Sequence, residues 1–123
     1  TMMKSSYYYK AVDSIKNKDY KNAIILLNKS LISEKNDPDI YNYLGFSNRK
    51  LGNMEMAAKN YEKALSLDPK HKGALEYQGQ LFITLKNFVK AKENLKKLDE
   101  ICLLGCDEYN KLKSSLNKVL SGK

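Results

Sequence analysis

The sequence has 123 residues, of which 42% are hydrophobic, and its 22 basic and 14 acidic residues give a net charge of +8. This size predicts one domain with a modest core. Because no run of about eighteen apolar residues occurs, no transmembrane segment is expected, and no basic-then-apolar leader is expected within the sequence either. The charge does not indicate a nucleic-acid partner, because Arg49 is the single arginine and the lysines are scattered, often beside acidic residues.

The first third of the chain predicts a helical hairpin. In chain order we predict a cap at 4–6, a helix over 7–16, a turn at 17–19 and a second helix from 20 to about 34. Apolar residues follow one face of the second helix at helical spacing, at Ala23, Ile24, Leu27 and Leu31. A proline at position 38 then prevents the helix from continuing.

The middle of the chain, from Pro38 to His71, predicts a second hairpin. Gly45 and Ala57 are small enough to let its two helices approach closely. Apolar side chains form stripes at helical spacing, at Tyr41, Leu44, Tyr61, Ala64 and Leu65. The turn falls at 52–53, and Pro69 ends the second helix.

The last third predicts a third hairpin followed by one more helix. The hairpin has helices over about 73–85 and 88–101. The segment 107–120 spaces Tyr109, Leu112 and Leu116 three or four residues apart, with lysines between them. We therefore expect an amphipathic helix with a polar outer face.

The three hairpins are related by a shift of 34 residues. Gly45 corresponds to Gly79 and Ala11, and Ala57 corresponds to Ala91 and Ala23. The middle segment resembles the tetratricopeptide repeat (TPR), whose pattern is carried here by Tyr41, Leu44-Gly45, Ala57, Tyr61 and Pro69. The resemblance implies an all-α, right-handed α-solenoid of three TPR hairpins plus a C-terminal capping helix. We expect a single domain over 1–123, with repeats at 4–37, 38–71 and 72–105 and a capping helix at 107–120.

By this resemblance, the first helix of each repeat lines a concave groove that binds a protein or peptide partner. The predicted groove residues are Tyr8, Tyr9, Val12, Asn42, Tyr43, Phe46, Arg49, Lys50, Tyr77 and Gln80. Three of them, Tyr9, Tyr43 and Tyr77, share one repeat position, and the alternative is that these tyrosines only pack between adjacent helices. A second alternative is a self-assembling scaffold, a homo-oligomer in which one subunit's terminal helix fills another's groove.

One branch of the family holds the two carboxylates of a chaperone tail with Lys and Asn in the first repeat, Asn in the second, and Lys and Arg in the third. The corresponding residues here are Tyr8, Val12, Tyr43, Gly73 and Tyr77. We therefore do not expect an acidic chaperone tail to be bound in that way.

Nothing in the sequence predicts an enzyme, a cofactor or a metal site. His71 is the single histidine and is interpreted as an exposed loop residue. No serine or cysteine has an evident general base, and two thiols with a distant histidine do not make a tetrahedral zinc site.

The two cysteines, Cys102 and Cys106, flank Gly105 at the joint before the last helix. This spacing allows a disulfide, and we predict one; the alternative is a pair of reduced, buried thiols. The pattern Cys-x-x-Gly-Cys before an amphipathic helix also resembles small bacterial extracytoplasmic TPR proteins. We therefore expect an extracytoplasmic (periplasmic) location rather than a cytoplasmic one.

Overall fold

The structure is a computed structural model and describes residues 4–122. Within that range the chain is all-helical, as predicted, with no strand. Its seven helices are α1 (Ser6–Lys16), α2 (Tyr20–Ser30), α3 (Pro38–Lys50), α4 (Met54–Leu67), α5 (Lys72–Thr84), α6 (Phe88–Ile101) and α7 (Asp107–Leu120). None of these helices is both long and apolar enough to cross a membrane.

The helices form two compact units that divide between Asp68 and Pro69. The first unit contains α1 to α4 and the second contains α5 to α7. The expectation of a single domain over 1–123 stays a prediction, and each unit is described by itself.

The end of α2 differs from its predicted position. The helix was expected to continue to about residue 34 but ends at Ser30. Past that point the backbone makes i→i+3 bonds, from Ile32 N–H to the Lys29 carbonyl (3.2 Å) and from Ser33 N–H to the Ser30 carbonyl (3.3 Å), and one i→i+4 bond, from Glu34 N–H to the Ser30 carbonyl (3.1 Å). The Ser33 hydroxyl also donates to the Ser30 carbonyl, at 3.4 Å. Such local hydrogen bonds offer the backbone an alternative to the helical ladder.

The three hairpin turns repeat the same backbone geometry. A left-handed residue recurs every 34 positions, at Lys18 (φ 61°), Gly52 (φ 88°) and Lys86 (φ 61°). The next residue in each turn is the N-cap of the following helix, namely Asp19, Asn53 and Asn87. The shift of 34 residues found in the sequence is therefore also present in the turn conformations.

In the first unit the start of α1 is hydrogen-bonded to the end of α2 and to the residues that follow it. The Ser5 backbone N–H donates to Glu34 Oε1 (2.7 Å), and the Ser5 and Ser30 hydroxyls lie 2.8 Å apart in a hydrogen bond. Behind these contacts lies the core cluster, formed by Tyr8, Ala11, Leu27, Ile40 and Leu44. α1 is thereby fixed against α2 and the beginning of α3.

In the second unit α7 packs against both α5 and α6. Leu112 of α7 is fully buried, and its methyl groups lie where a Cβ at Gly79 would be (2.6 and 2.7 Å). The absence of a side chain at Gly79 therefore lets α7 approach α5. Asn94 of α6 donates to the Leu75 carbonyl (3.1 Å) and to Gln78 Oε1 (2.8 Å), which joins α6 to α5.

Candidate functional site

The candidate site of the first unit is a set of aromatic rings on α1 and α3. The rings of Tyr8 and Tyr43 meet edge to face with centroids 5.9 Å apart, and Tyr9 meets Tyr8 in the same way at 5.4 Å. Tyr8 is buried at 8% exposure, whereas Tyr9 is 49% exposed. The three rings therefore run from the core to the surface, and Tyr9 carries the exposed end.

A charged cluster holds the buried end of this set. Lys4 Nζ lies 4.9 Å from the centre of the Tyr8 ring and pairs with Asp37 (2.6 Å) and Asp39 (2.9 Å). Burial alone would lower the pKa of Lys4, but its hydrogen bonds to the two carboxylates raise that pKa instead. Burial, reinforced by Tyr43 and the two aspartates, raises the pKa of the Tyr8 phenol. Lys4 is thus held in its charged form and Tyr8 in its neutral form.

A second group of aromatic contacts in this unit, around Phe46 near the end of α3, is cationic. Arg49 and Lys50 lie over the Phe46 ring, at 5.6 and 5.4 Å from its centre. The ring of Tyr20 on α2 meets Phe46 at 6.1 Å. Phe46 is half-buried and Lys50 is exposed. An aromatic surface with two positive charges beside it therefore faces outward at the end of α3.

The remaining predicted groove residues are distributed over both units. Val12 and Tyr43 are half-buried and pack against the core of the first unit, and Asn42 is buried at 5% exposure. In the second unit Tyr77 and Gln80 are half-buried on α5, and Gln80 donates to Glu76 Oε2 at 3.0 Å. Of the predicted groove residues on the first unit, Tyr8 and Asn42 thus belong to its interior, and the partly or fully accessible ones are Tyr9, Val12, Tyr43, Phe46, Arg49 and Lys50.

Two parts of this site were not predicted from the sequence. Tyr20 was assigned only to the start of a helix, yet its ring contacts Phe46. The ion pairs of Lys4 with Asp37 and Asp39 were also not predicted, because they join residues more than thirty positions apart. The one signal for Tyr20 was that it corresponds to Met54 and Phe88 under the 34-residue shift.

In the structure His71 has a different role from the predicted one. It was interpreted as an exposed loop residue, but it is the N-cap of α5, and its Nδ1 accepts the Ala74 N–H at 3.0 Å. The helix begins there and leaves its first N–H groups without intrahelical partners, so a side-chain acceptor at this position stabilises it. Among the described residues no group of three or more metal-ligating side chains occurs. The predictions of no catalysis, no metal and no cofactor stay predictions.

The two cysteines lie where a disulfide is geometrically allowed. Their sulfur atoms are within bonding distance, and the Cα atoms of Cys102 and Cys106 are 5.7 Å apart, inside the range of about 4.4–6.8 Å that a disulfide requires. Gly105 between them has φ 90°, a conformation that glycine adopts without strain.

The middle hairpin matches a known repeat family. The family model for the tetratricopeptide repeat matches residues 38–71, the same residues as the predicted middle repeat. No curated protein sequence matches the chain. Residues 38–71 are therefore a tetratricopeptide repeat, and the predicted resemblance is confirmed.

Solved structures confirm the TPR solenoid fold class. The TPR domain of Sgt2 from Aspergillus fumigatus matches with a TM-score of 0.81 and 23% identity, covering 94% of this chain and 78% of that one. The TPR2B domain of yeast Sti1, in complex with pHsp70, matches with a TM-score of 0.82 and 17% identity, covering 97% and 100%. The type III secretion chaperone SycD of Yersinia enterocolitica, in complex with a peptide of the translocator YopD, matches with a TM-score of 0.77 and 16% identity, covering 94% and 88%.

Proposed function

We propose that this protein is a non-enzymatic interaction module that binds a peptide or protein segment on the faces of the first helices of its hairpins. In the first unit the binding surface is formed by the exposed parts of the aromatic residues of α1 and α3, among which Tyr9 is the most exposed ring of the predicted groove. The observation that carries the proposal is that Tyr9 is half-exposed while its ring rests on a buried, fixed Tyr8. In the second unit Tyr77 and Gln80 are proposed contacts on α5.

The fixed position of Tyr9 favours binding energetically. A tyrosine offers a large contact area and a hydroxyl group, and few rotatable bonds are lost when a partner covers it. Because Tyr8 is held between Tyr43 and Lys4, the ring beneath Tyr9 does not have to be ordered on binding. Such preorganisation lowers the entropy cost of association.

The charges near Phe46 suggest the chemistry of the bound segment. Arg49 and Lys50 flank an aromatic ring, so an apolar side chain next to a carboxylate would meet both an apolar and a cationic surface. The clamp for a pair of carboxylates is not expected, since Tyr8, Val12 and Tyr43 stand at its positions in the first unit. We therefore propose a segment with apolar or aromatic residues and one acidic residue.

The complexes of similar structures support an interaction role. SycD was solved with a peptide of YopD and the Sti1 domain with pHsp70. Those proteins share the fold of this chain, and the step from their partners to a peptide partner here is part of the proposal.

The test begins with peptides selected from a displayed random library against the intact protein. Tyr9→Ala should weaken the selected peptides about 30-fold or more, the effect of truncating a central aromatic contact. Tyr7→Ala is the matched control, because Tyr7 is also an exposed tyrosine of α1 (41%) but lies under Lys29 of α2. Affinities measured by fluorescence anisotropy that are equal for Tyr9→Ala and the wild type, or equally reduced by Tyr7→Ala, would refute the proposed surface.

A self-assembling scaffold is the second candidate function. It is favoured by Val119 and Leu120 at the end of α7, which are 44% and 50% exposed. If one subunit's terminal helix fills another's groove, light scattering should show association that rises with concentration and is lost in a Val119→Ser/Leu120→Ser variant. Association that persists in this variant would contradict that mode of assembly.

We further propose that Cys102 and Cys106 are disulfide-bonded and that the protein works outside the cytoplasm. The Cα separation of 5.7 Å supports the bond, and cytosolic conditions keep such pairs reduced. Mass spectrometry of protein from its native source, alkylated without reductant, should find both cysteines unmodified by the alkylating reagent. Two alkylated thiols would refute both the bond and the compartment.

A further inference from the structure

The loop between α6 and α7 exposes two adjacent leucines. Leu103 is 86% exposed and Leu104 is 102% exposed, the highest values among the large apolar side chains of residues 4–122. Single exposed apolar residues are common on protein surfaces, but clustered ones mark interaction sites. Exposure of both side chains to water is unfavourable in free energy, and this is relieved only when another surface covers them.

The leucines are presented by a tightly closed loop. Cys102 is buried at the end of α6, and its sulfur lies within bonding distance of that of Cys106. The Gly105 N–H donates to the Cys102 carbonyl at 2.8 Å, which closes the turn. Because the backbone on both sides of the leucines is fixed, little chain entropy is lost when they are covered.

A hollow lies directly beside the leucines in the same unit. It has a volume of about 720 Å³, and its lining consists of Pro69, Lys70, Lys97, Glu100, Ile101 and Leu103. Leu103 is itself part of this lining, Pro69 and Ile101 are its other apolar residues, and the remaining three residues are charged. One surface therefore carries both a projection of leucines and a hollow with apolar walls that has room for leucine side chains.

A surface with both features fits a second copy of itself. In a two-fold interface the same patch is used by both subunits, so the leucines of each copy enter the hollow of the other. The rim charges also fit this symmetry. Lys97 and Glu100 are three residues apart on one face of α6, and neither forms an ion pair within the part of the chain that the structure describes. A two-fold axis that passes beside these two residues of α6 would bring Lys97 of each copy opposite Glu100 of the other.

A lipid surface fits the same loop less well. Anionic membranes attract clusters of basic residues around an apolar anchor, whereas the chain next to this loop is acidic at Asp99, Glu100, Asp107 and Glu108. We infer that the surface formed by Leu103, Leu104 and the adjoining hollow is a homodimer interface.

The first experiment measures the dimer dissociation constant of the intact protein by sedimentation velocity over a concentration series. Leu103→Ser/Leu104→Ser should raise that constant about 100-fold or more, because symmetry removes each leucine from both halves of the interface. Leu85→Ser/Val89→Ser is the matched control, since these side chains are exposed apolar residues of the same unit that do not line the hollow. The control should dimerise like the wild type, with helicity equal in all three proteins.

The second experiment tests the charge pairing. Lys97→Glu and Glu100→Lys should each weaken the dimer, because like charges then meet across the two-fold axis, and combining them should restore it. A protein that stays monomeric at all concentrations overturns the inference. So does a dimer that is unaffected by the leucine substitutions but lost in Val119→Ser/Leu120→Ser. If the monomer instead floats with anionic phospholipid vesicles and the leucine variant does not, the loop belongs to a membrane contact and the dimer is refuted.

Discussion

A substitution at Gly45 tests the packing that holds α3 against α4. A Cβ at this position would lie 2.6 Å from both Cδ1 and Cε1 of Tyr61, and the Tyr61 side chain is fully buried. Carbon atoms do not approach so closely, and a ring enclosed on all sides cannot rotate away without displacing its neighbours. We therefore expect Gly45→Ala to push the two helices of the middle hairpin apart.

Two opposing effects determine the size of the loss. Alanine is favoured over glycine inside a helix by about 0.5–1 kcal/mol. Overpacking of a well-packed core costs about 1–3 kcal/mol. The net prediction is a decrease of about 1–2 kcal/mol in the free energy of unfolding, measured by urea unfolding followed by circular dichroism. The slope of the unfolding free energy against urea concentration should not change, because a similar surface is exposed on unfolding.

A double-mutant cycle separates the clash from other effects of the substitution. In a Tyr61→Leu background the flexible leucine can give way, so Gly45→Ala should cost less than half as much as in the wild type. Gly52→Ala is the control, because a Cβ there meets no atom within 4 Å and its cost comes from φ 88° alone. A loss of stability under about 0.5 kcal/mol for Gly45→Ala, or the same loss in both backgrounds, would refute the predicted clash with Tyr61.

Two further predictions concern the turns and the pH dependence. Lys86→Gly should raise the free energy of unfolding by up to about 1 kcal/mol, since a side chain at φ 61° is strained and glycine is not; thermal melting that is unchanged or lowered would contradict this. Burial raises the pKa of the Tyr8 phenol in the folded protein. The stability that the neutral phenol contributes is therefore complete below the unfolded-state pKa of about 10 and is lost as the pH rises above that value. Tyr8→Phe should therefore lose less stability than the wild type in alkaline unfolding experiments. Identical pH profiles for Tyr8→Phe and the wild type would show that the buried phenol does not titrate on unfolding.

The sequence alone determined the helices and their repeat. The bounds of α6 and α7 were predicted as observed, and the 34-residue shift located all three turns. These features were predictable because they depend on short-range causes: apolar spacing, small residues at close approaches, and Pro69, which follows the end of α4. The end of α2 was missed because the chain leaves the helix after Ser30 without a proline or glycine, in a turn where the Ser33 hydroxyl donates to the Ser30 carbonyl.

Only the tertiary structure decided which side chains are available to a partner. Tyr8 and Tyr9 are neighbours in sequence and were both predicted to line the groove, yet one is buried and the other half-exposed. Helical periodicity fixes the direction of a side chain but not what covers it, and Tyr8 is covered by Tyr43 and by Lys4 held between two aspartates of another helix hairpin. The exposure of the tyrosine side chains at this site depends on contacts between residues more than thirty positions apart. No local pattern in the sequence predicts such contacts.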